Sequence, residues 1–193
     1  MPCKIDTLGK ITRLLTGLMA EPPCVAALAT VDAAGGSRVR MVVVRALALP
    51  QLEITISSDS RSDKIPQLIR SPFAEVCIWA EDQRIAVRLL AQWTIISGSQ
   101  RAPQVARDLQ AFWEAHSPRS RSIFAGAQPG GGYRPPRRRT PVRGSIESYP
   151  MNFAMLCGRI LEIDAVELHR DGQLRWHYFR RVGNAWDKRR INP

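Results

Sequence analysis

The side chains best suited to chemistry lie between positions 37 and 64, in the run SRVRMVVVRALALPQLEITISSDSRSDK. Arg40 and Arg45 bracket a β-branched segment. Leu52–Ile56 is a second short strand after a turn at Pro50, and the polar stretch Ser57–Lys64 then enters a helix. Such a set suits an anion. A guanidinium offers a fork that matches phosphate, and backbone N–H groups at a helix start favour negative charge. Two sheet strands with solvated arginines and an ordinary helix cap would use the same residue types. These residues alone leave both readings open.

The totals narrow the class of protein that must position them. A chain of 193 residues suits one domain with a real core. The apolar runs are too short and interrupted for a membrane span. The N-terminus MPCKIDTLGK lacks a signal pattern, so the expectation is a cytoplasmic protein. Cys3, Cys24, Cys77 and Cys157 are dispersed with no CxxC, which argues against zinc or a disulfide framework and fits a reducing compartment. The net charge of +11 raises nucleic acid as a partner. Most of it sits in two clusters, at Arg134–Arg143 and Arg180–Arg190, and the remaining body is nearly balanced. That pattern argues against a DNA-reading surface.

The elements follow from periodicity and turn chemistry. Leu8–Met19 reads as an amphipathic helix stopped by Pro22-Pro23. Cys24–Val31 and Arg38–Leu47 flank Asp32-Ala-Ala-Gly-Gly36 as a hairpin. Leu52–Ser57 continues the meander. Arg61–Arg70 reads as a short helix with Pro66 in its first turn. Phe73–Ala80 and Arg84–Ser97 are strands, the second with an imperfect period that allows a bulge. Ala102–His116 is helical, with Val105, Leu109, Phe112 and Trp113 on one core-facing side. A turn of helix follows at Ser120–Phe124. Residues 126–148 are Gly/Pro/Arg-rich and read as a long mobile loop. Asn152–Ile163, Val166–His169, Leu174–Arg181 and Asn184–Ile191 complete the strands, and His116 and His169 read as surface residues. The predicted fold class is mainly β (α+β): an antiparallel split barrel with peripheral helices.

The order of motifs resembles the pyridoxamine 5'-phosphate oxidase-related FMN-binding family, the FMN-binding split barrels. The carrying residues are Arg40-x-x-x-x-Arg45, Ser58-Asp-Ser-Arg61-Ser62-x-Lys64, Ser71-Pro72-x-Ala74-Glu75, Trp79 with Arg84-x-x-x-Arg88, and Trp113-x-x-x-Ser117-x-x-x-Arg121. Asn152-Phe153, Val166-Glu-Leu168 and Trp186 with Ile191-Asn192-Pro193 complete the set. The match spans nearly the whole chain and implies one split-barrel domain over 1–193. It implies FMN as cofactor, a homodimer with FMN at the subunit interface, and a small-molecule substrate.

Residue by residue, the resemblance assigns Arg40, Ser57, Ser58, Arg61, Ser62 and Lys64 to the phosphate and ribityl chain, and Val42 and Val43 to the ring edge. Arg84 and Arg88 are placed toward a partner's site, and Arg121 near substrate or flavin. Arg45, Arg175 and His177 become the catalytic candidates, the arginines polarising the ring and the histidine orienting substrate or ferrying a proton. The chain departs from the family pattern at four points. Arg45 replaces a lysine, Ala86 a glutamine, His169 a tryptophan and Phe179 an arginine. The implied activity is hydride transfer from a small, phosphorylated amine or alcohol to FMN and then to oxygen. The alternatives are a non-catalytic split-barrel binding protein and, less favoured, a basic nucleic-acid-binding module.

Overall fold

The computed structural model describes residues 9–20, 24–48, 51–100, 102–132, 148–180 and 186–193. In chain order the elements are α1 (Gly9–Ala20), β1 (Cys24–Val31), β2 (Ser37–Ala48), β3 (Glu53–Asp59), α2 (Lys64–Arg70), β4 (Phe73–Ala80) and β5 (Ile85–Ser97). They continue with α3 (Pro103–Glu114), α4 (Pro118–Ser122), a 3-10 turn at Ile123–Ala125, β6 (Phe153–His169), β7 (Gly172–Arg180) and β8 (Trp186–Ile191). Strand order in the sheet is β3-β2-β1-β4-β5-β6-β7-β8, and β3 pairs again with β6. That second pairing closes six strands into an antiparallel barrel, and β7 and β8 extend from it.

Period-2 alternation puts one face of each barrel strand inside. Leu28, Val44, Ile54, Ile56, Val76, Val87, Leu89, Leu156 and Ile163 form the barrel core. Each such side chain contributes about 1.5–3 kcal/mol on burial. Gly158 belongs to the same packing. A Cβ there would lie 2.9 Å from Ile54 Cγ2 and 3.1 Å from two atoms of the Trp93 ring, so only glycine lets that ring cross β6. A second, smaller core joins Leu109, Trp113, Phe124 and Phe153 where α3 meets β6.

The structure corrects the reading of Asn152–Ile163 and Val166–His169 as two strands. They form one strand, β6, 17 residues long. Asp164 looks like an interruption in sequence, but its carboxylate is satisfied by Arg88 and Arg175 from the flanking strands. The first part of β6 pairs with β3 and the second with β7. The change of partner falls at Leu161, the extra residue where the register against β5 shifts between Leu90 and Ala91.

His116 is also corrected. It is 3% exposed, because four residues of helix carry it onto the Phe112 side. There its ring meets Phe112 and Phe153 edge-on at 5.0 and 5.5 Å. Of the Arg-rich loop expected at 126–148, residues 133–147 lie outside the described residues, as does Arg181.

Candidate functional site

A cavity of about 360 Å³ opens between β2, β3 and the segment after α4. Val25, Val42, Val43, Ile123, Phe124 and Pro129 supply its apolar lining. Its polar end is a tight cluster. Lys64 Nζ donates to Ser58 Oγ at 3.1 Å and to Ser62 Oγ at 2.8 Å. Both serines are buried. Burial pushes the Lys64 ammonium below its ordinary 10.5, and Arg40 nearby pushes it the same way. Among the described residues no carboxylate reaches Lys64 within ion-pair distance. Asp59 and Asp63 act on it only at longer range, so a half-buried cation with two hydroxyls and no direct ion pair among the described residues has the chemistry to receive an anion.

Arg45 reaches the cavity through a backbone device. Val44 pairs with Ile56 and Ala46 with Thr55, so Arg45 is a bulged residue with no partner on β3. A bulge bends its strand and re-aims the side chain. Here Arg45 Nε donates to Ser57 Oγ at 3.3 Å, and both line the cavity with Ser120. The anion site does not depend on a helix end. α2 has seven residues, and its cap, Asp63, makes no side-chain capping bond.

Seven of the sequence-derived candidates therefore meet at this cavity: Val42, Val43, Arg45, Ser57, Ser58, Ser62 and Lys64. The others are placed elsewhere in the chain. Arg40 donates to Thr30 Oγ1 and, at 2.8 Å, to Gln67 Oε1. Arg61 grips Asp59 with Nε and Nη2 at 2.9 and 2.6 Å and reaches Gly126 O at 3.3 Å. Arg121 donates to the carbonyls of His116 and Glu114 at 2.9 and 2.7 Å. Arg84 stands in the exposed β4–β5 turn with a positive φ of 52°. Arg88 and Arg175 share Asp164, at 2.8 and 2.7 Å. His177 lies against Glu162 at 2.8 Å.

Residues 12–97 match the family model described as "Pyridoxamine 5'-phosphate oxidase, FMN-binding domain". Over 172 residues the chain is 26% identical to pyridoxine/pyridoxamine 5'-phosphate oxidase 2 of Arabidopsis thaliana, covering 86% of this chain and 85% of that protein. A pyridoxamine 5'-phosphate oxidase-related, FMN-binding protein from Nostoc punctiforme superposes with a TM-score of 0.82 at 26% identity, covering 97% of each chain. PhzG from Burkholderia lata, solved with tetrahydrophenazine-1-carboxylic acid, gives 0.76 at 18% identity over 100% of this chain and 97% of its own. That last likeness speaks for the fold. Residues 12–97 match that FMN-binding domain, and the chain as a whole shares the split-barrel fold of the Nostoc punctiforme protein.

FMN is the cofactor of this family, and the donor set fits it. A phosphate matches the Lys64 ammonium with its two hydroxyls, and the apolar part of the lining suits a flavin ring. Asp59 also lines the cavity, but its charge is met by Arg61 and by Asn152 Nδ2 at 2.9 Å, which leaves Lys64 free to meet an incoming anion.

In a split barrel of this kind the sequence pattern reveals cations more readily than the acids that hold them. Asp59, Glu162, Asp164 and Arg189 are not among the candidates the sequence supplies. The period-2 spacing of Glu162 and Asp164 on one face of β6 was the available signal.

Two of these acids set an acid limit. Burial raises the Asp59 and Asp164 carboxyls, but hydrogen bonds from Arg61 and Asn152, and from Arg175 and Arg88, outweigh it and hold both below 3.8. A depressed folded value adds stability that is complete above the unfolded value of about 3.9 and is lost as pH falls through the folded value. We expect the melting temperature to drop on acidification below about pH 4. Asp164→Asn should flatten that drop, and an unchanged profile in this variant would remove the assignment.

Proposed function

We propose that the whole chain acts as one FMN-binding split-barrel domain. In this reading it is an oxidoreductase working on a small, phosphorylated amine or alcohol in the cytoplasm. The observation that carries the reading is the Lys64–Ser58–Ser62 cluster at one end of an apolar-walled cavity. Lys64 and the two hydroxyls hold the cofactor phosphate, with Ser57 beside them. Val42 and Val43 lie along the ring edge, and Arg45, aimed inward by its bulge, supplies positive charge next to it. When bound, the flavin supplies a hydride acceptor that oxygen can reoxidise. Arg40 and Arg61 act from behind, through α2 and Asp59. Arg121 fixes the end of α3 beside the cavity wall.

The reading includes a homodimer. Strand registers put Val25, Val39, Met41, Phe73 and Trp79 on one sheet face, and Arg88, Arg175 and His177 farther along the same face. Val39 and Met41 are 66% and 64% exposed. Exposed apolar side chains gathered on one sheet face, with Glu75 among them, suit an interaction surface. A second copy covering it would bring Arg84, Arg88, Arg175 and His177 toward the partner's cofactor, where Arg175 and His177 would orient the substrate.

The test is direct. Protein purified as expressed, or incubated with FMN, should carry a flavin absorbance band and release FMN on denaturation. With pyridoxamine 5'-phosphate it should then form hydrogen peroxide. A colourless protein that takes up no FMN sinks the proposal. Flavin uptake without turnover would confine it to binding.

A further inference from the structure

On the sheet face that carries Arg88, Asp164 and Arg175, a second cavity of about 410 Å³ is lined by Leu161, Glu162, His177, Phe179, Arg180 and Arg189. His177 is engaged on both sides of its ring. Its Nε2 lies 2.8 Å from Glu162 Oε2, and its Nδ1 lies 3.3 Å from Arg189 Nη2. The ring stacks on Phe179 with centroids 5.4 Å apart, and the Arg189 guanidinium lies 5.4 Å from the Phe179 centroid.

These contacts follow from the strand registers. β8 places Arg189 directly opposite His177, and β6 places Glu162 opposite Phe179, one diagonal step away. Asp164, which stands directly opposite His177, is already taken by Arg88 and Arg175. It does not compete for the imidazole.

The two partners differ in kind. An ionised carboxylate can only accept a hydrogen bond, and a guanidinium can only donate one. Nε2 must then carry the hydrogen, and Nδ1 must offer its lone pair. A hydrogen on Nδ1 would point at the N–H of Arg189. We propose that Glu162 and Arg189 are positioning residues that fix His177 as the neutral Nε2–H tautomer. Neither ring nitrogen is then free in the resting protein. The inference rests on the reading of His177 as a substrate-side group and sharpens it. His177 serves as a fixed orienting ring, and it exchanges a proton at Nδ1 only after Arg189 has moved away.

His116 provides an internal contrast. Its Nδ1 lies 2.7 Å from the Phe112 carbonyl, which accepts only. The hydrogen is therefore on Nδ1, the opposite tautomer.

The experiment is a long-range 1H–15N correlation on the full-length protein labelled at histidine, recorded at about pH 8.5, above the usual imidazole titration. His177→Gln assigns the resonance. The expected result is a protonated Nε2 and a bare Nδ1 for His177, with the reverse for His116. Arg189→Leu should lose the single tautomer and show a mixture, and Arg189→Lys, which keeps a donor, should restore it. An Nδ1–H pattern for His177 in the unaltered protein overturns the inference, as does an unchanged spectrum in folded Arg189→Leu. The measurement needs no flavin. A protein that fails to take up FMN would leave this result intact, and a wrong tautomer would leave FMN binding intact.

Discussion

Replacing Lys64 with methionine is expected to weaken FMN binding by about 1.5–3 kcal/mol, the usual range for a hydrogen bond to a charged group, or roughly 10- to 150-fold in Kd. The same change should raise the melting temperature of the flavin-free protein. The opposite signs come from one cause. Without an anion, Lys64 is a cation taken out of water, with two hydroxyl acceptors and no ion pair among the described residues. Methionine keeps the length of the side chain and removes the charge. A bound phosphate reverses the balance by supplying the missing counter-charge.

The pH dependence checks the same assignment. A lysine whose folded value is depressed disfavours folding while it is charged. The flavin-free protein should therefore gain stability as pH rises from the folded value of Lys64 toward 10.5. The methionine variant should lack that gain. Flavin titration by fluorescence and thermal melts from neutral to alkaline pH would test both statements. An FMN affinity that does not change in the variant would sink the phosphate assignment.

Much of the barrel is legible because local signals agree. Cys24–Val31 and Phe73–Ala80 were expected and observed with the same bounds. Each is an apolar run fenced by Pro, Gly or Asp, and tertiary packing had nothing to override. β6 was less legible because its continuity depends on non-local partners. Asp164 interrupts an apolar pattern, and only Arg88 and Arg175, brought in by other strands, make a carboxylate acceptable there. His116 was misplaced for a related reason. An imidazole near a helix end looks solvated until Phe153, from β6, covers it. The polar cluster at the cavity comes from a short spacing, Ser58, Ser62 and Lys64, because a single turn and the start of α2 deliver all three side chains. Sequence carries no sign that Arg61 is held by Asp59 two residues earlier rather than turned to the cavity. Nor does it mark Arg45 as a bulge, since a bulge exists only relative to a partner strand.

Phe153→Ala is expected to cause the largest loss of stability, about 3–5 kcal/mol for a buried phenylalanine truncated in a packed core. Phe153 is fully buried and is the common member of the second core. Its ring lies 4.9 Å from both Trp113 and Phe124, each edge to face, and 5.8 Å from Phe112. Removing it leaves a void bounded by three large rings that cannot all close on it at once, so little of the cavity term is recovered. The damage should also reach the cofactor site. Phe124 lines the cavity, and Asn152, the preceding residue, donates to Asp59 Oδ2 and to the Phe124 carbonyl, both at 2.9 Å. FMN affinity should therefore fall together with stability, although Phe153 does not itself line the cavity. Phe153→Leu refills most of the space and should lose less of both. Met151→Ala, two residues away and 66% exposed, should change stability by no more than about 0.5 kcal/mol. Urea unfolding and flavin titration of the three variants would separate these outcomes. Stability lost in Phe153→Ala with FMN affinity unchanged would show that the second core does not brace the cavity.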